Sequence, residues 1–287
     1  MHINKDDLKL ILGRKEFAEL LDIKNNHFFK NKKILITGAN GSIGTHFQKV
    51  LTEMGVDFLA TDIEGNMEYL DITNFRECTS VISKYNPDFI VNIAGLKYAT
   101  RSEHQSGRTV DVNIDGVRNL ISACPHGTKV ILTSTCKSCN PEIVYGSTKL
   151  IAERMVVDNG GSVARFFNVA QSQGNVFEIW NETSSTEPIE VVDECNRHFI
   201  SVEESCCLIL YSMIHRGRFI VSSPGLRNMG DIAKKLYPDR QIKTIKRRRG
   251  DRKNELFMST SEKGIFELNK RVIRILNDHD RINDFIE

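Results

Sequence analysis

Lys33-Ile34-Leu35-Ile36-Thr37-Gly38-Ala39-Asn40-Gly41-Ser42-Ile43-Gly44 joins two patterns that belong to different secondary structures. Its first half is a short, continuous apolar run, which suits a strand buried on both faces. Its second half spaces three glycines as G-x-x-G-x-x-G. Helical periodicity follows through Ile43, Phe47, Val50 and Leu51 and stops at Gly55. Strand, glycine-rich turn and helix, in that order, suit a pyrophosphate. Glycines let the backbone approach closely, and the helix N-terminus offers free N–H groups. An ordinary strand-to-helix turn has a similar look, but the context favours a dinucleotide. Gly38, Asn40, Gly41, Ser42, Ile43 and Gly44 are the candidate phosphate-binding residues.

Outward from this turn, a second strand over Val56–Asp62 ends in an acid. A carboxylate at Asp62 accepts hydrogen bonds from adenosine ribose hydroxyls and repels a 2′-phosphate, which favours NAD over NADP. Asp71-Ile72 suits a loop over the adenine, or alternatively a helix cap before Asn74. Further strands read at Phe89–Ile93, Val130–Ser134 and Ser162–Phe167, alternating with helices near 74–84, 107–123 and 146–158. Such alternation implies right-handed crossovers and an α/β, doubly wound parallel sheet of Rossmann type. Residues 1–30 predict two short helices as an N-terminal extension. Residues 31–170 form the cofactor domain, and residues 171–287 a smaller substrate lobe with some segments returning to the sheet. Within that tail, Asn181–Pro188 reads as a loop, Phe219–Val221 as a strand, and 202–215, 226–237 and 261–276 as helices.

Composition narrows the function. Among 287 residues, 39 Lys+Arg against 37 Asp+Glu leave a net charge of +2, too little for a nucleic-acid binder. At 40% hydrophobic and 26% charged the chain can bury a sizeable core. No apolar run approaches the roughly 18–20 residues of a membrane span. The N-terminus has no apolar signal region, so the seven cysteines read as reduced thiols of a cytoplasmic protein. Cys136 and Cys139 form a C-x-x-C without a second pair, so no metal is expected. Cys206-Cys207 reads as core, and Arg165, His198 and His215 as structural. Lys246-Arg247-Arg248-Arg249 is either a solvated loop or a contact for an anionic ligand.

Tyr145 and Lys149 lie four apart at the start of a predicted helix, on one face. A lysine beside a tyrosine favours phenolate, which can take a hydroxyl proton while hydride leaves for a nicotinamide. A strand ending in Ser134-Thr135 precedes the pair, inside the same dinucleotide-binding pattern.

The whole set resembles the extended short-chain dehydrogenase/reductase superfamily, and within it the UDP-N-acetylglucosamine 4,6-dehydratases of polysaccharide and glycan biosynthesis. Leu12-Gly13-Arg14 is similar to an LGR element of larger, membrane-linked members. Asn92-Ile93-Ala94-Gly95-Leu96-Lys97 is similar to their AAxxK segment, and Val112-Asn113-Ile114-Asp115-Gly116 to TNxxG. Ser134-Thr135-Cys136-Lys137 with Asn140-Pro141 resembles STDKA…NP. Arg165 to Val169, then Gln173 to Val176, resembles RxGNV…SxGSV. Arg197 to Ser201 looks like TRFFM, and Arg249-Gly250-Asp251-Arg252 like RPGEK.

The resemblance implies that Ala94, Gly95, Asn113 and Ser134 join the cofactor site. It implies that Lys97, Thr135, Asn168, Asn175, Val176, Arg197 and Asp251 face a UDP-sugar. It further implies that Tyr145 and Lys149 act with NAD at C4 of UDP-N-acetylglucosamine, next to Thr135, that Lys137 is the base at C5, and that a homo-oligomer forms. Cys136 stands where the family has the Asp that protonates the departing 6-hydroxyl, and a protonated thiol is the expected acid. Tyr145 also departs from the larger LGR-bearing relatives, which often carry Met there. The expected product is a 4-keto-6-deoxy sugar made by a membrane-free member of the family. The alternatives are a 5,6-ene product, a 4-epimerase or 4-reductase, or a non-catalytic NAD-binding sensor or scaffold.

Overall fold

The computed structural model describes residues 3–97, 99–223, 225–247 and 251–277. Six strands carry the first part of the chain: β1 Lys33–Thr37, β2 Asp57–Asp62, β3 Glu68–Tyr69, β4 Phe89–Asn92, β5 Lys129–Thr135 and β6 Ser162–Phe166. Strand Gly217–Val221 and the hairpin Glu262–Glu267/Val272–Asn277 complete a nine-stranded sheet. Its order is 262–267, 272–277, 217–221, β6, β5, β4, β1, β2, β3. From 217–221 to β3 every pairing is parallel, and only the hairpin runs antiparallel. The strands are apolar because helices cover both faces: Ile34, Leu35, Ile36, Ile131, Leu132 and Val163 are fully buried. The strand order reverses between β1 and β4, which opens a crevice at their carboxyl ends.

The helices that flank this crevice begin where the sequence places their caps. Ser42–Met54 starts at Gly41 and ends at Gly55, which takes the left-handed conformation at φ 66°. Phe75–Tyr85 is capped by Asn74, whose side chain accepts from Arg76 N and Glu77 N. The cap reading of Asp71 is therefore wrong: its carboxylate instead accepts from the Thr73 amide at 2.9 Å and the Thr73 hydroxyl at 2.8 Å. Between Ser106 and Ala123 a π turn over Asp111–Asp115 interrupts the helix and carries Asn113.

The tail differs from expectation in several elements. Residues 261–276 form a hairpin, not a helix. Leu268, Asn269 and Lys270 all take positive φ, which reverses the chain. Val272, Ile273, Ile275 and Leu276 are buried on the sheet. The alternating charges look helical, but the β-branched run prefers a covered strand. Two further parallel strands, Ile189–Val192 and Ile242–Ile245, pair outside the main sheet and were not read from sequence. The N-terminal segment forms helix Lys5–Leu12, a single turn over Ala18–Leu21 and two 3-10 turns. It docks through Arg14, which pairs with Glu204 at 2.6 Å at the start of helix Val202–Ile214.

Four charges are buried together beneath the crevice. Arg165 on β6 pairs with Glu153 of helix Val144–Asp158 at 2.5 Å and with Glu262 of the hairpin at 2.8 Å. Arg218 pairs with Glu262 at 2.5 Å and lies 3.5 Å from Glu153. Burial alone would raise Glu262, but the two arginines outweigh it and pull its carboxyl down to about 2. A depressed carboxyl contributes stability above its ordinary value of 4.5, and that contribution is lost as pH falls toward about 2. Arg165→Met leaves two buried carboxylates short of a partner and is expected to destabilise by about 3–5 kcal/mol in urea unfolding. The acid limb of the stability profile is expected to flatten in Glu262→Gln, read by unfolding across that pH range.

Candidate active site

A cavity of about 1290 Å³ lies along the carboxyl ends of the strands. At one end sits the glycine turn. A Cβ on Gly38 would fall 2.4 Å from Ala94 N, and one on Gly44 would fall 2.4 Å from Gly38 O. Only glycine lets β1, the loop after β4 and the following helix meet this closely. Gly41 differs, since its Cβ would meet only Gly38 O at 3.4 Å, leaving its face open to the cavity. Gly38, Asn40, Gly41, Ser42 and Ile43 line the cavity, whereas Gly44 is buried behind the turn. This cradle, with first-turn N–H groups that no helix can pair internally, fits a dinucleotide pyrophosphate.

Asp62, Asp71, Ile72, Ala94, Gly95 and Ser134 line the same cavity. One Asp62 oxygen accepts from Asn40 N at 2.9 Å and the other from Ile63 N at 2.7 Å, which fixes the carboxylate at the end of β2. Asn113 does not line the cavity. It is 1% exposed and works as a brace, accepting from Leu96 N at 2.9 Å and donating to Leu96 O and the Thr148 hydroxyl, each at 3.1 Å. The Gly95-Leu96 backbone is thereby tied to the helix that carries Tyr145 and Lys149.

The other end of the cavity gathers hydroxyl and amine side chains. Thr135, Lys137, Tyr145 and Lys149 all line it. Tyr145 and Lys149 share one face of helix Val144–Asp158, whose N-terminus is capped from outside by Glu103, 2.7 Å from Val144 N. Burial lowers the Lys149 ammonium to about 8, against the pull of Glu153 one turn further on. Burial raises the Tyr145 phenol, while Lys137 and a hydrogen bond from Thr135 pull it down. Lys137 is thus a cation that favours the Tyr145 phenolate.

Lys137 follows β5 on a 3-10 turn over Cys136–Ser138, and its side chain is 36% exposed. Its Nζ donates to Glu255 Oε1 at 3.1 Å and to Asn168 Oδ1 at 3.2 Å. Burial opposes the charge on Lys137, but Glu255, Cys136 and Tyr145 outweigh it and hold the ammonium above the ordinary lysine range. Cys136 is not brought into the cavity. Its side chain is 1% exposed and turns inward against Glu255, because a residue between two cavity-facing neighbours on a tight turn points to the core. Burial and the Glu255 charge push its thiol far up, so it stays protonated and out of reach of a ligand. The expectation that Cys136 is the acid for the 6-hydroxyl is not met by this geometry.

Lys97, Asn168, Asn175, Val176, Arg197 and Asp251 also line the cavity. Lys97 Nζ donates to Gln173 O at 2.9 Å, and Gln173 N donates to Ser42 Oγ at 2.8 Å, so one residue bridges both ends. Asn175 caps helix Val176–Glu182. Arg197 lies 3.8 Å from Asp251. Arg252 donates to Cys139 O at 2.8 Å and pairs with Glu142 at 3.1 Å, pinning the loop before helix Val144–Asp158. Of the basic cluster, Lys246 and Arg247 are described, and Arg247 is 3.6 Å from Glu194. Arg248, Arg249 and Gly250 lie outside the described residues. Glu255, Glu103 and Gln173 were not singled out from sequence. Among the described residues no His/Cys/Asp/Glu group is arranged to hold a metal, and no helix is long and apolar enough to cross a membrane.

Residues 60–276 match the family described as polysaccharide biosynthesis protein. The chain is 27% identical to a UDP-N-acetylglucosamine 4,6-dehydratase (inverting) of Campylobacter jejuni, over 90% of this chain and 87% of that one. It is 28% identical to the probable polysaccharide biosynthesis protein EpsC of Bacillus subtilis, over 79% of this chain but 43% of that longer protein. Among solved structures, Pen from Bacillus thuringiensis superposes with a TM-score of 0.75 at 23% identity, covering 88% of this chain and 89% of that one. A Thermus thermophilus UDP-glucose 4-epimerase in complex with NAD gives 0.69 at 16% identity, over 78% and 89%. At such identities the structures speak to the fold alone. The chain belongs to the polysaccharide biosynthesis protein family, within the extended short-chain dehydrogenase/reductase superfamily.

Proposed function

We propose that the chain is an NAD-dependent nucleotide-sugar dehydratase acting on UDP-N-acetylglucosamine to give a UDP-4-keto-6-deoxy sugar. One observation carries the reading: Tyr145, Lys149 and Lys137 converge on a cavity whose other end is the glycine cradle. An epimerase or 4-reductase needs only the tyrosine and lysine of the helix, so a second lysine at the cavity wall favours elimination. The Campylobacter jejuni relative, named as a dehydratase of this sugar, supports the same choice. On this reading residues 31–170 hold the cofactor, residues 171–287 supply the substrate lobe and residues 1–30 are a docked extension.

Gly38 to Ile43 would hold the pyrophosphate, Asp62 the adenosine ribose, and Ser134, Tyr145 and Lys149 the nicotinamide end. Arg197, Asp251, Asn175 and Lys97 would meet the UDP, and Asn168 and Thr135 the sugar. When bound, the nicotinamide supplies hydride acceptance at C4 and hydride return at C6. Tyr145 takes the 4-hydroxyl proton, with Lys137 and Lys149 as the cations that favour its phenolate. The 4-keto group then acidifies the hydrogen at C5, which passes to Lys137, and the 6-hydroxyl leaves as water.

Incubation with UDP-N-acetylglucosamine in deuterated water is expected to yield a product lighter by one water and carrying deuterium at C5, read by NMR and mass spectrometry. Tyr145→Phe should abolish both events, and unchanged substrate mass with a new stereoisomer would select an epimerase instead. Cys136→Ala is expected to retain dehydration, since the thiol is buried away from the cavity. A selective loss of water elimination in that variant would return Cys136 to the acid's role. Asp62→Ala is expected to weaken NAD and narrow its preference over NADP in calorimetric titrations. Equal affinities in the unaltered protein would rule out NAD selectivity.

A further inference from the structure

Glu255 is a buried carboxylate that stands behind Lys137. It is 7% exposed, does not line the cavity, and comes from the far end of the chain. Its two oxygens are divided between different partners. Oε1 accepts from Lys137 Nζ at 3.1 Å. Oε2 accepts from Asn168 Nδ2 and, at 3.4 Å, from His198 N. The Cys136 thiol and the Arg197 guanidinium also face it. Lys137 in turn is faced by Glu255, Cys136 and Tyr145, with Asn168 completing its hydrogen bonds. The ion pair therefore has one wet end, the lysine, and one dry end, the carboxylate.

This arrangement creates a difficulty and its solution together. An ammonium cannot abstract the C5 proton, and a carboxylate at hydrogen-bond distance keeps Lys137 an ammonium. Yet that carboxylate also sits at the far end of an existing 3.1 Å hydrogen bond from Lys137, and although Lys137 and Arg197 hold its carboxyl down, the transfer needs to last only while C5 gives up its proton. We propose that Glu255 is a positioning residue that stores the Lys137 proton during elimination, so that Lys137 serves both as the base at C5 and as the acid for the 6-hydroxyl. The proposal rests on the dehydratase reading.

The steps balance without any added reactant. The Lys137 ammonium passes a proton to Glu255, giving amine and carboxylic acid. The amine takes the proton from C5 of the 4-keto sugar, leaving the enolate and restoring the ammonium. The ammonium protonates O6, the C6–O bond breaks, the enolate electrons form C5=C6, and water departs. Glu255 returns its proton to the amine. One proton has moved from C5 to the departing oxygen, and the pair ends as it began. The thiol at Cys136 is not required at any step.

The test separates the partial reactions in the full-length protein with bound NAD and UDP-N-acetylglucosamine. Glu255→Gln preserves shape and can still accept from Lys137, but cannot store a proton. Expected are near-normal C4 oxidation, read as reduced nicotinamide absorbance, and a loss of about 100-fold in C5 deuterium exchange and water loss at neutral pH. Exchange in this variant should recover as pH rises and Lys137 loses its proton directly, whereas the unaltered enzyme stays flat across the neutral range. Glu255→Asp should restore part of the neutral-pH rate.

Elimination by Glu255→Gln at the normal rate, or equal loss of oxidation and exchange with an unchanged pH profile, would overturn the proposal. So would a lysine-like basic limb in the unaltered enzyme, a measurement that stands even if the glutamine variant does not fold. An unaltered enzyme that neither oxidises nor dehydrates this sugar would instead overturn the dehydratase reading on which the pair rests.

Discussion

The carboxylate of Glu153, fully buried one turn beyond Lys149, is the interaction on which the site's geometry hangs. An isolated buried charge is far too costly to survive, so its partners are not optional. They come from three other elements: Arg165 from β6, Arg218 from strand Gly217–Val221 and, through those arginines, Glu262 from the hairpin. Glu153 also accepts from the hydroxyls of Ser134 at 2.6 Å and Ser138 at 2.8 Å. Those two serines bracket Thr135, Cys136 and Lys137. The position of the turn that carries Lys137 is therefore set from beneath by a neutral cluster of four charges that also locks the tail of the chain onto the sheet.

The two ends of the cavity are built by different means. At the cofactor end the backbone does most of the shaping, through glycines that permit close approach and a helix start that offers N–H groups. At the other end segments from later in the chain reach back over the sheet through backbone and side chain alike. Gln173 is clasped between Ser42 and Lys97, Arg252 pins the carbonyl of Cys139, and Glu255 reaches Lys137. A parallel sheet leaves its carboxyl ends open, so closure has to come from outside it. Glu262 of the antiparallel hairpin accepts from Ser259 N at 2.9 Å, which ties the segment after Glu255 to the sheet.

This difference also decides what could be read from the amino-acid order. Strands β1, β4, β5 and β6 were legible because burial on both faces leaves continuous apolar runs, whereas β2 is only partly covered and was read from its place after the first helix. Tyr145 and Lys149 were legible because helical spacing alone puts them on one face. The hairpin was misread because Glu, Lys and Arg interleaved with apolar residues mimic a helix, and only pairing with strand Gly217–Val221 selects extended chain. Glu255 could not be read at all, since it meets Lys137 across 118 residues and local spacing carries no trace of that contact. Asn113 was placed at the site by motif, and the fold makes it a brace one layer behind.

Cys136 shows why position in a motif is not position in space. Its side chain points into the core beside Glu255, where a thiol is tolerated as a small, protonated, weakly polar group. A carboxylate at the same place would need a partner of its own, and the nearest cation, Lys137, is already engaged. Two acids beside one lysine repel, and one of them takes up a proton. With the carboxylate supplied by Glu255 from across the fold, position 136 is best filled by a residue that carries no charge. The altered motif and the distant glutamate are thus two sides of one electrostatic requirement: a single buried negative charge for the single ammonium of Lys137.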